Sequence, residues 1–149
     1  MLVTLQSVKE NVKELQKITT AQNIKWLHVP LDGANMPFLQ RKDVQNVLIS
    51  NLTKLNADLH GNAEKVLIHC AAGIHRTGIF TYSLLRVQNL SPEESRKKLK
   101  DLREATLKGV QDRRLEYAEE YIIARIIKKG LIKSEETKKK EEEDKESME

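Results

Sequence analysis

The sequence predicts an α/β fold in which a mostly parallel sheet is flanked by helices. Short apolar segments typical of strands alternate with amphipathic helical segments, in the order strand, helix, strand, helix, strand, helix. This alternation favours right-handed crossovers, which make consecutive strands parallel. In such sheets ligands bind beyond the carboxyl ends of the strands, so we expect a functional site there.

The first half of the chain contains two of the predicted strands. Residues 2–5 predict a short buried strand, and Ser7 followed by Glu10 predicts the capping-box start of a helix. The apolar positions of that helix are Val8, Val12, Leu15 and Ile18. Residues 24–29 predict a second strand, and residues 31–40, which contain Asp, Gly, Asn and Pro, predict a loop.

The second half begins with a long amphipathic helix that ends at Gly61 and has apolar positions Val44, Val47, Leu48, Leu52, Leu55 and Leu59. Residues 65–69 predict a third strand, and its unbroken apolar run predicts burial on both faces. We expect three further helices: residues 77–89, a helix that starts at Ser91-Pro92, and a last helix that ends at Gly130.

Charge divides the 149 residues into two parts. Residues 133–149 contain five lysines, eight acidic residues and almost nothing that could pack, so we expect a charged disordered tail. Residues 1–132 are expected to form one domain with 21 basic and 14 acidic residues, a net charge of +7 that suits an anionic substrate.

The single cysteine excludes an internal disulfide, and a free thiol fits the cytoplasm or the nucleus. We expect a monomer without a membrane span.

The most informative segment runs from Val66 to Gly78 and reads as a strand, a small-residue loop and the start of a helix. Cys70 opens the loop, and Arg76 closes it after five residues. A cysteine beside a helix N-terminus and a cation has a lowered pKa, which makes it a nucleophile. The small residues Ala71, Ala72 and Gly73 let the backbone close around a tetrahedral anion, whose oxygens Arg76 can hold in a planar fork. Thr77 can donate its hydroxyl to the Cys70 sulfur. The alternative is a buried structural cysteine at a strand end.

The segment from His69 to Gly78 resembles the His-Cys-(five residues)-Arg-Ser/Thr-Gly signature of the cysteine-dependent protein-tyrosine phosphatase superfamily. The short domain and the Trp26–Asp32 segment resemble its dual-specificity branch. The resemblance implies a protein-tyrosine phosphatase-like fold and hydrolysis through a phosphocysteine, without a metal or a cofactor. It implies a phosphate-binding loop formed by Ala71, Ala72, Gly73, Ile74, His75 and Arg76. It also implies that Asp32 acts as general acid and then as general base; the alternative is that Asp32-Gly33 is only a turn.

Three departures from the family pattern are present. His75 stands where the family most often has glycine, and it could add positive charge at the rim of the loop or only face solvent. The family usually has one or two strands before the equivalent of Val3, so we expect a minimal or truncated version with an exposed sheet edge. Gln111 is a weak match to the family's water-positioning glutamine. The family brings the region of Arg113 and Arg114 close to the site.

The leading hypothesis is a metal-independent phosphatase that acts on phosphotyrosine and also on phosphoserine or phosphothreonine in protein substrates. An alternative keeps the chemistry and takes RNA 5′-phosphates or phosphoinositides as substrates. A second alternative is a phosphate-binding pseudophosphatase, which the presence of Cys70, Arg76 and Asp32 argues against.

Overall fold

The sheet is small, entirely parallel and centred on the first strand. A computed structural model describes residues 1–33, 36–61 and 65–148. The strands are β1 (Leu2–Thr4), β2 (Trp26–His28) and β3 (Leu67–His69), in the order β2-β1-β3. The register pairs Thr4 with both His28 and His69, so the carboxyl ends of all three strands lie at one edge. This confirms the predicted α/β class and the parallel sheet.

Helices make up most of the rest of the chain. They are α1 (Val12–Ala21), α2 (Lys42–Gly61), α3 (His75–Val87), α4 (Pro92–Leu102), α5 (Glu104–Val110), α6 (Asp112–Ala118), α7 (Ala124–Lys128) and α8 (Glu135–Glu146). A 3-10 turn, Met36–Gln40, precedes α2, and a π-helical segment, Glu119–Ile123, joins α6 to α7. The helix α5 was not predicted. The other helical segments of residues 1–132 were, and the capping box of Ser91 and Glu94 is present at the start of α4.

Helix α3 is the centre of the core. Every residue from Arg76 to Val87 is buried, and the helix packs on α2, α4, α5 and α6. Close contact requires a glycine at the start of α3, because a Cβ at Gly78 would lie 2.7 Å from Val110. The helix that follows the cysteine loop is therefore fixed from several sides.

Two local predictions were wrong. Strand β3 is not buried on both faces: it pairs only with β1 among the described residues, and Leu67 at its start is 65% exposed because no further strand lies beside it. The Ser7–Glu10 pair does not cap α1, which begins at Val12 after Asn11 in a left-handed conformation. Val8 is consequently 69% exposed rather than part of a buried helix face.

The charged C-terminal segment differs from the predicted disorder, since residues 135–146 form α8. Ser134 caps the helix through its side chain, and Glu and Lys are good helix formers. No residue of α8 is buried. Among the described helices, none has the length and apolar character needed to cross a membrane.

Candidate active site

The site lies where the three strands end. The Leu5 N–H donates to the His69 carbonyl (2.8 Å), and the Val29 N–H donates to the Thr4 carbonyl (2.9 Å), so the pairing continues just past the strands. Cys70 directly follows β3, and the segment after Val29 leads to Asp32. The edge predicted from the topology therefore gathers the segments that carry the predicted residues.

The Cys70 sulfur sits inside the loop in an environment that stabilises a thiolate. Cys70 is 8% exposed, and the Thr77 hydroxyl donates to its Sγ at 3.2 Å. Burial raises the pKa of the thiol, but hydrogen bonds from the Thr77 hydroxyl and from the backbone N–H groups of Thr77, Gly73 and Ile74 outweigh it, so the pKa is lowered overall. Two N–H groups of the loop, those of Gly73 and Ile74, therefore point at the Cys70 sulfur.

Arg76 is anchored on one side and open on the other. Its Nη1 donates to the carboxylate of Glu10 (2.6 Å) and to the Leu31 carbonyl (3.0 Å), and its Nη2 donates to Glu10 (2.8 Å). The Nε–H and the second Nη2–H share one edge of the guanidinium and have no oxygen partner among the described residues. The hydrogen bond to Glu10, followed by the charges of Glu10 and Cys70, raises the pKa of Arg76, so the guanidinium lies near the Cys70 sulfur. Two N–H groups in this geometry match two oxygens of a phosphoryl group.

Asp32 follows the residue whose carbonyl binds Arg76. It is exposed and lies in a cleft of about 280 Å³ whose apolar walls include Val8, Pro30 and Phe38. The cleft adjoins the loop because Leu31, which also lines it, accepts from Arg76. The structure thus brings Asp32 to the same edge of the sheet as Cys70.

The remaining residues of the loop differ in exposure. Ala71 and Ala72 are exposed, while Gly73, Ile74 and His75 are half-buried. Burial, followed by the charge of Arg114, lowers the pKa of His75 below 6.5, so the imidazole is mainly neutral near pH 7. This opposes the interpretation of His75 as an additional positive charge on the rim.

A protein-tyrosine phosphatase family model matches residues 1–128. The chain belongs to the protein-tyrosine phosphatase family. A search of curated proteins finds no match to this phosphatase. The family explains why the cysteine, the arginine and the aspartate meet at the ends of parallel strands.

Solved structures share the fold of the phosphatase. The core catalytic domain of the PP-IP phosphatase SIW14 from S. cerevisiae, in complex with citrate, is 22% identical with a TM-score of 0.56, over 87% of this chain and 74% of that one. A second structure of the Siw14 catalytic core has 22% identity and a TM-score of 0.57, over 87% and 73% of the two chains. A mutant form of Tk-PTP has 22% identity and a TM-score of 0.57, over 80% and 74%.

Glu10 is a site residue that sequence reasoning missed. Its carboxylate, 29% exposed, accepts two hydrogen bonds from Arg76, which lower the pKa of Glu10 from 4.5 to about 2. The Ser7 N–H also donates to Glu10 (2.7 Å). The Ser-x-x-Glu motif was the available signal, but the glutamate that was predicted to cap a helix instead fixes Arg76 of the phosphatase.

The carbonyl of Gly73 is held from outside the loop. Arg103 Nη1 donates to it at 2.6 Å and the Thr106 hydroxyl at 2.7 Å. Gly73 has φ +67, and with its carbonyl turned outward its N–H faces Cys70. No sequence signal identified this clamp, because Arg103 immediately precedes, and Thr106 lies in, a helix that was not predicted.

Histidine and tryptophan side chains support the loop of the phosphatase from the sheet. His69 Nε2 hydrogen-bonds with the Thr4 hydroxyl (2.8 Å), which also accepts from Trp26 Nε1 (2.8 Å). His69 Nδ1 lies 3.2 Å from the Cys70 carbonyl oxygen, and His28 hydrogen-bonds with the Gln6 carbonyl (2.8 Å). His69 and His28 therefore hold the ends of the strands and the start of the loop in place.

Gln111 lies at the junction of α5 and α6, where the family resemblance weakly suggested a water-positioning residue. Its side chain is exposed, and its Oε1 accepts from Arg114 (2.9 Å). Among the described residues of the phosphatase, no three His, Cys, Asp or Glu side chains are grouped as metal ligands would be.

Proposed function

We propose that this phosphatase hydrolyses phosphomonoesters of phosphotyrosine, and also of phosphoserine or phosphothreonine, in protein substrates through a phosphocysteine intermediate. The observation that carries the proposal is the Cys70 sulfur, which accepts a hydrogen bond from Thr77 and lies close enough to Arg76 for their charges to interact. A thiolate, an oxyanion-binding loop and a fixed fork of donors together match what phosphoryl transfer to sulfur requires.

In the first step the Cys70 thiolate attacks phosphorus, and the bond from phosphorus to the substrate oxygen breaks. Asp32 gives its proton to the leaving oxygen, so that the alcohol departs neutral. In the second step the Asp32 carboxylate takes a proton from water, whose oxygen attacks phosphorus. The sulfur–phosphorus bond breaks, inorganic phosphate forms, and the departing thiolate again accepts the Thr77 hydrogen bond. Arg76 holds the equatorial oxygens throughout.

The cleft beside Asp32 supports an aromatic leaving group. Val8, which is 69% exposed, lines the cleft together with Phe38 and Pro30. An apolar wall next to the general acid can cover a phosphotyrosine ring and exclude water from the scissile bond. The same wall makes little contact with a small polar leaving group. Phosphotyrosine is therefore the preferred substrate in this proposal.

Turnover of para-nitrophenyl phosphate in excess chelator tests the chemistry. We expect activity in the wild type and a loss of at least about 1,000-fold in Cys70→Ser, because serine is a much poorer nucleophile in this loop. Circular dichroism checks that Cys70→Ser remains folded. Wild-type protein without turnover would contradict the proposal and favour a phosphate-binding pseudophosphatase; full activity in Cys70→Ser would contradict the nucleophile.

Asp32→Asn tests the general acid. We expect kcat to fall about 100-fold for phenyl phosphate and much less for para-nitrophenyl phosphate, because a good leaving group needs no proton. Asp43→Asn is the matched control, since Asp43 is exposed and paired with Arg41 (2.6 Å) in the same cleft. Equal losses on both substrates in Asp32→Asn would show that Asp32 is not the acid.

A second candidate substrate class is a densely charged phosphate ester, either a phosphoinositide or an RNA 5′-phosphate. The +7 charge of residues 1–132 and the arginines near the loop, Arg103 and Arg114, favour it. SIW14, whose fold is similar, is a PP-IP phosphatase. RNA as substrate predicts that kcat/KM falls steeply with added salt and that triphosphorylated RNA is preferred to phosphopeptide.

A further inference from the structure

Arg114 is a buried cation without a counter-ion. Three arginines are almost fully buried: Arg76 (7% exposed), Arg86 (2%) and Arg114 (8%). The first is paired with Glu10, and the second with Glu119 and Glu135. Among the described residues, no carboxylate lies within ion-pair distance of Arg114. Burying a charge without a partner costs several kcal/mol, so this arrangement requires an explanation.

The hydrogen bonds of Arg114 are also incomplete. Its Nη1 donates to Gln111 Oε1 at 2.9 Å and weakly to the Val110 carbonyl at 3.4 Å. Its Nε is buried and has no hydrogen-bond partner in the described part of the chain. Burial and then the charge of Arg113 lower the pKa of Arg114, but a guanidinium stays protonated at any physiological pH. The group is therefore a fixed positive charge with an unused donor.

The backbone places this charge beside the phosphate-binding loop. The junction of α5 and α6 packs directly on the loop and the start of α3, because a Cβ on Gly109 would overlap Ile74 and one on Gly78 would lie 2.7 Å from Val110. After burial, Arg114 has the largest effect in lowering the pKa of His75. The Arg114 guanidinium thus acts on the His75 imidazole at the rim of the loop.

Gln111, which covers Arg114, has a strained backbone. Its φ of 65° and ψ of 145° lie in a region that is adopted almost only by glycine. The side chain is exposed, and its Oε1 is the one side-chain acceptor of Arg114 among the described residues. An anion that displaced this neutral oxygen would make a charge-assisted hydrogen bond in its place.

We propose that Arg114 and His75 form a second anion subsite beside the loop, which binds a phosphoryl group next to the one that Cys70 attacks. This rests on the proposed phosphatase chemistry and on its second candidate substrate class, the densely charged phosphate esters, which it specifies as molecules with two neighbouring phosphates. The second phosphate replaces Gln111 Oε1 at Arg114 Nη1 and gives the Arg114 Nε–H an acceptor. Neutral His75 donates from a ring N–H without competing for the charge. Two phosphates joined as an anhydride and two phosphates on adjacent carbons both present phosphoryl oxygens to the loop and to Arg114 at the same time.

Binding to the Cys70→Ser variant tests the subsite without turnover. Calorimetry at fixed ionic strength measures the Kd of orthophosphate, inorganic pyrophosphate and 2,3-bisphosphoglycerate. We expect at least one of the two diphosphates to bind about tenfold tighter than orthophosphate, the weight of one further charge-assisted contact. The diphosphate that gains affinity identifies the source, an anhydride or a vicinal bisphosphate.

Arg114→Met in the same background should reduce the affinity ratio of diphosphate to orthophosphate to about twofold or less. Arg113→Met is the matched control, because Arg113 is an exposed neighbouring arginine and its loss should leave the ratio within about twofold. Arg114→Lys, which keeps the charge, should retain part of the gain. An unchanged ratio in Arg114→Met, or a wild-type site that shows no gain for either diphosphate, overturns the proposal.

Thermal unfolding separates this role from a structural one. Removal of an unpaired buried charge predicts that Arg114→Met unfolds at the same or a higher temperature than the parent, whereas a structural arginine predicts a lower one. If Arg114→Met fails to fold, the affinity ratio of diphosphate to orthophosphate is measured on Arg114→Gln instead. The binding experiment requires no catalysis, so an inactive wild type would overturn the proposed function and leave this test intact.

Discussion

Arg76 shows how a single residue joins the site to the fold. Its guanidinium contacts carbonyls that follow β1 and β2 and the carboxylate of Glu10, so one side chain of α3 ties together the ends of two strands. Among the described residues, its Nε–H and its second Nη2–H have no oxygen partner. The ion pair therefore leaves these two donors for the oxygens of a phosphoryl group.

Glu10→Gln should weaken both stability and phosphate binding. We expect the free energy of unfolding at pH 7 to fall by roughly 2–3 kcal/mol, because a nearly buried arginine loses its carboxylate. The pKa of Glu10 is held at about 2 against 4.5, so its contribution is complete above about pH 4.5 and is lost as the pH falls toward 2. Denaturant titrations of both proteins between pH 7 and pH 2.5 should therefore give free energies of unfolding that converge as the pH falls.

Glu14→Gln is the control, since Glu14 pairs with Lys17 (3.0 Å) in solvent. A difference in the free energy of unfolding between wild type and Glu10→Gln that does not depend on pH would contradict the ion pair.

Thr77→Val should raise the pKa of Cys70. The Thr77 hydroxyl gives the largest of the stabilising hydrogen bonds to the thiolate, and valine removes it. The pH profile of iodoacetamide alkylation should move to higher pH, and kcat/KM should fall about tenfold. Thr81→Val, one helical turn further along α3 and also buried, should leave the alkylation profile in place. A profile that moves equally in the two variants would indicate a general effect on α3 and not the hydrogen bond.

At the scale of elements, the loop depends on α5 as much as on β3 and α3. Arg103, which directly precedes α5, and Thr106 in its first turn both donate to the Gly73 carbonyl. This element was absent from the predicted order, because residues 104–110 are short and have few apolar side chains at helical spacing. The cysteine loop itself was predicted correctly, since strand, loop and helix signals are all local there.

Thr106→Val tests the clamp on Gly73. Loss of the hydroxyl removes one of two donors from the Gly73 carbonyl and loosens the N–H that points at Cys70. We expect kcat/KM for para-nitrophenyl phosphate to fall about tenfold, and the alkylation of Cys70 to need higher pH. Lys108→Ala is the control in the same helix, because Lys108 is 73% exposed and pairs only with Glu104. Activity within twofold of wild type in Thr106→Val would show that Arg103 alone is sufficient.

At the scale of the whole molecule, Arg86 forms a second buried ion-pair network, after that of Arg76 and Glu10. Its Nε donates to Glu119 (2.6 Å) in the π-helical segment, Glu119 accepts from the Tyr82 hydroxyl (2.6 Å), and Glu135 of α8 lies 3.1 Å from Arg86 Nη1. Burial and then Glu119 raise the pKa of Tyr82. The network joins α3 to the last helix of the domain and to the charged C-terminal segment.

Removal of residues 133–149 should cost little. The deletion breaks the Arg86–Glu135 pair, but Arg86 keeps Glu119, and α8 contributes no buried residue. We expect the free energy of unfolding to change by less than about 1 kcal/mol and kcat/KM to stay within twofold. Glu119→Gln, by comparison, should cost about 3 kcal/mol, because it leaves Arg86 buried without its main partner. Denaturant titration compares the two; a larger loss in the deletion than in Glu119→Gln would assign the network's stability to α8.

The sequence by itself determined the fold class, the strand–loop–helix segment and the residues Cys70, Arg76 and Thr77, because each depends on neighbours a few positions away. Tertiary structure decided the partners that make those residues effective. Glu10 lies 66 positions from Arg76, and Arg103 lies 30 positions from Gly73. Pairs so distant in the chain carry no local pattern, and a polar side chain reveals its partner only when burial removes water as the alternative. The family resemblance pointed to the region of Arg114, but that no carboxylate of the described residues pairs with it is a property of the packed interior and not of its place in the sequence.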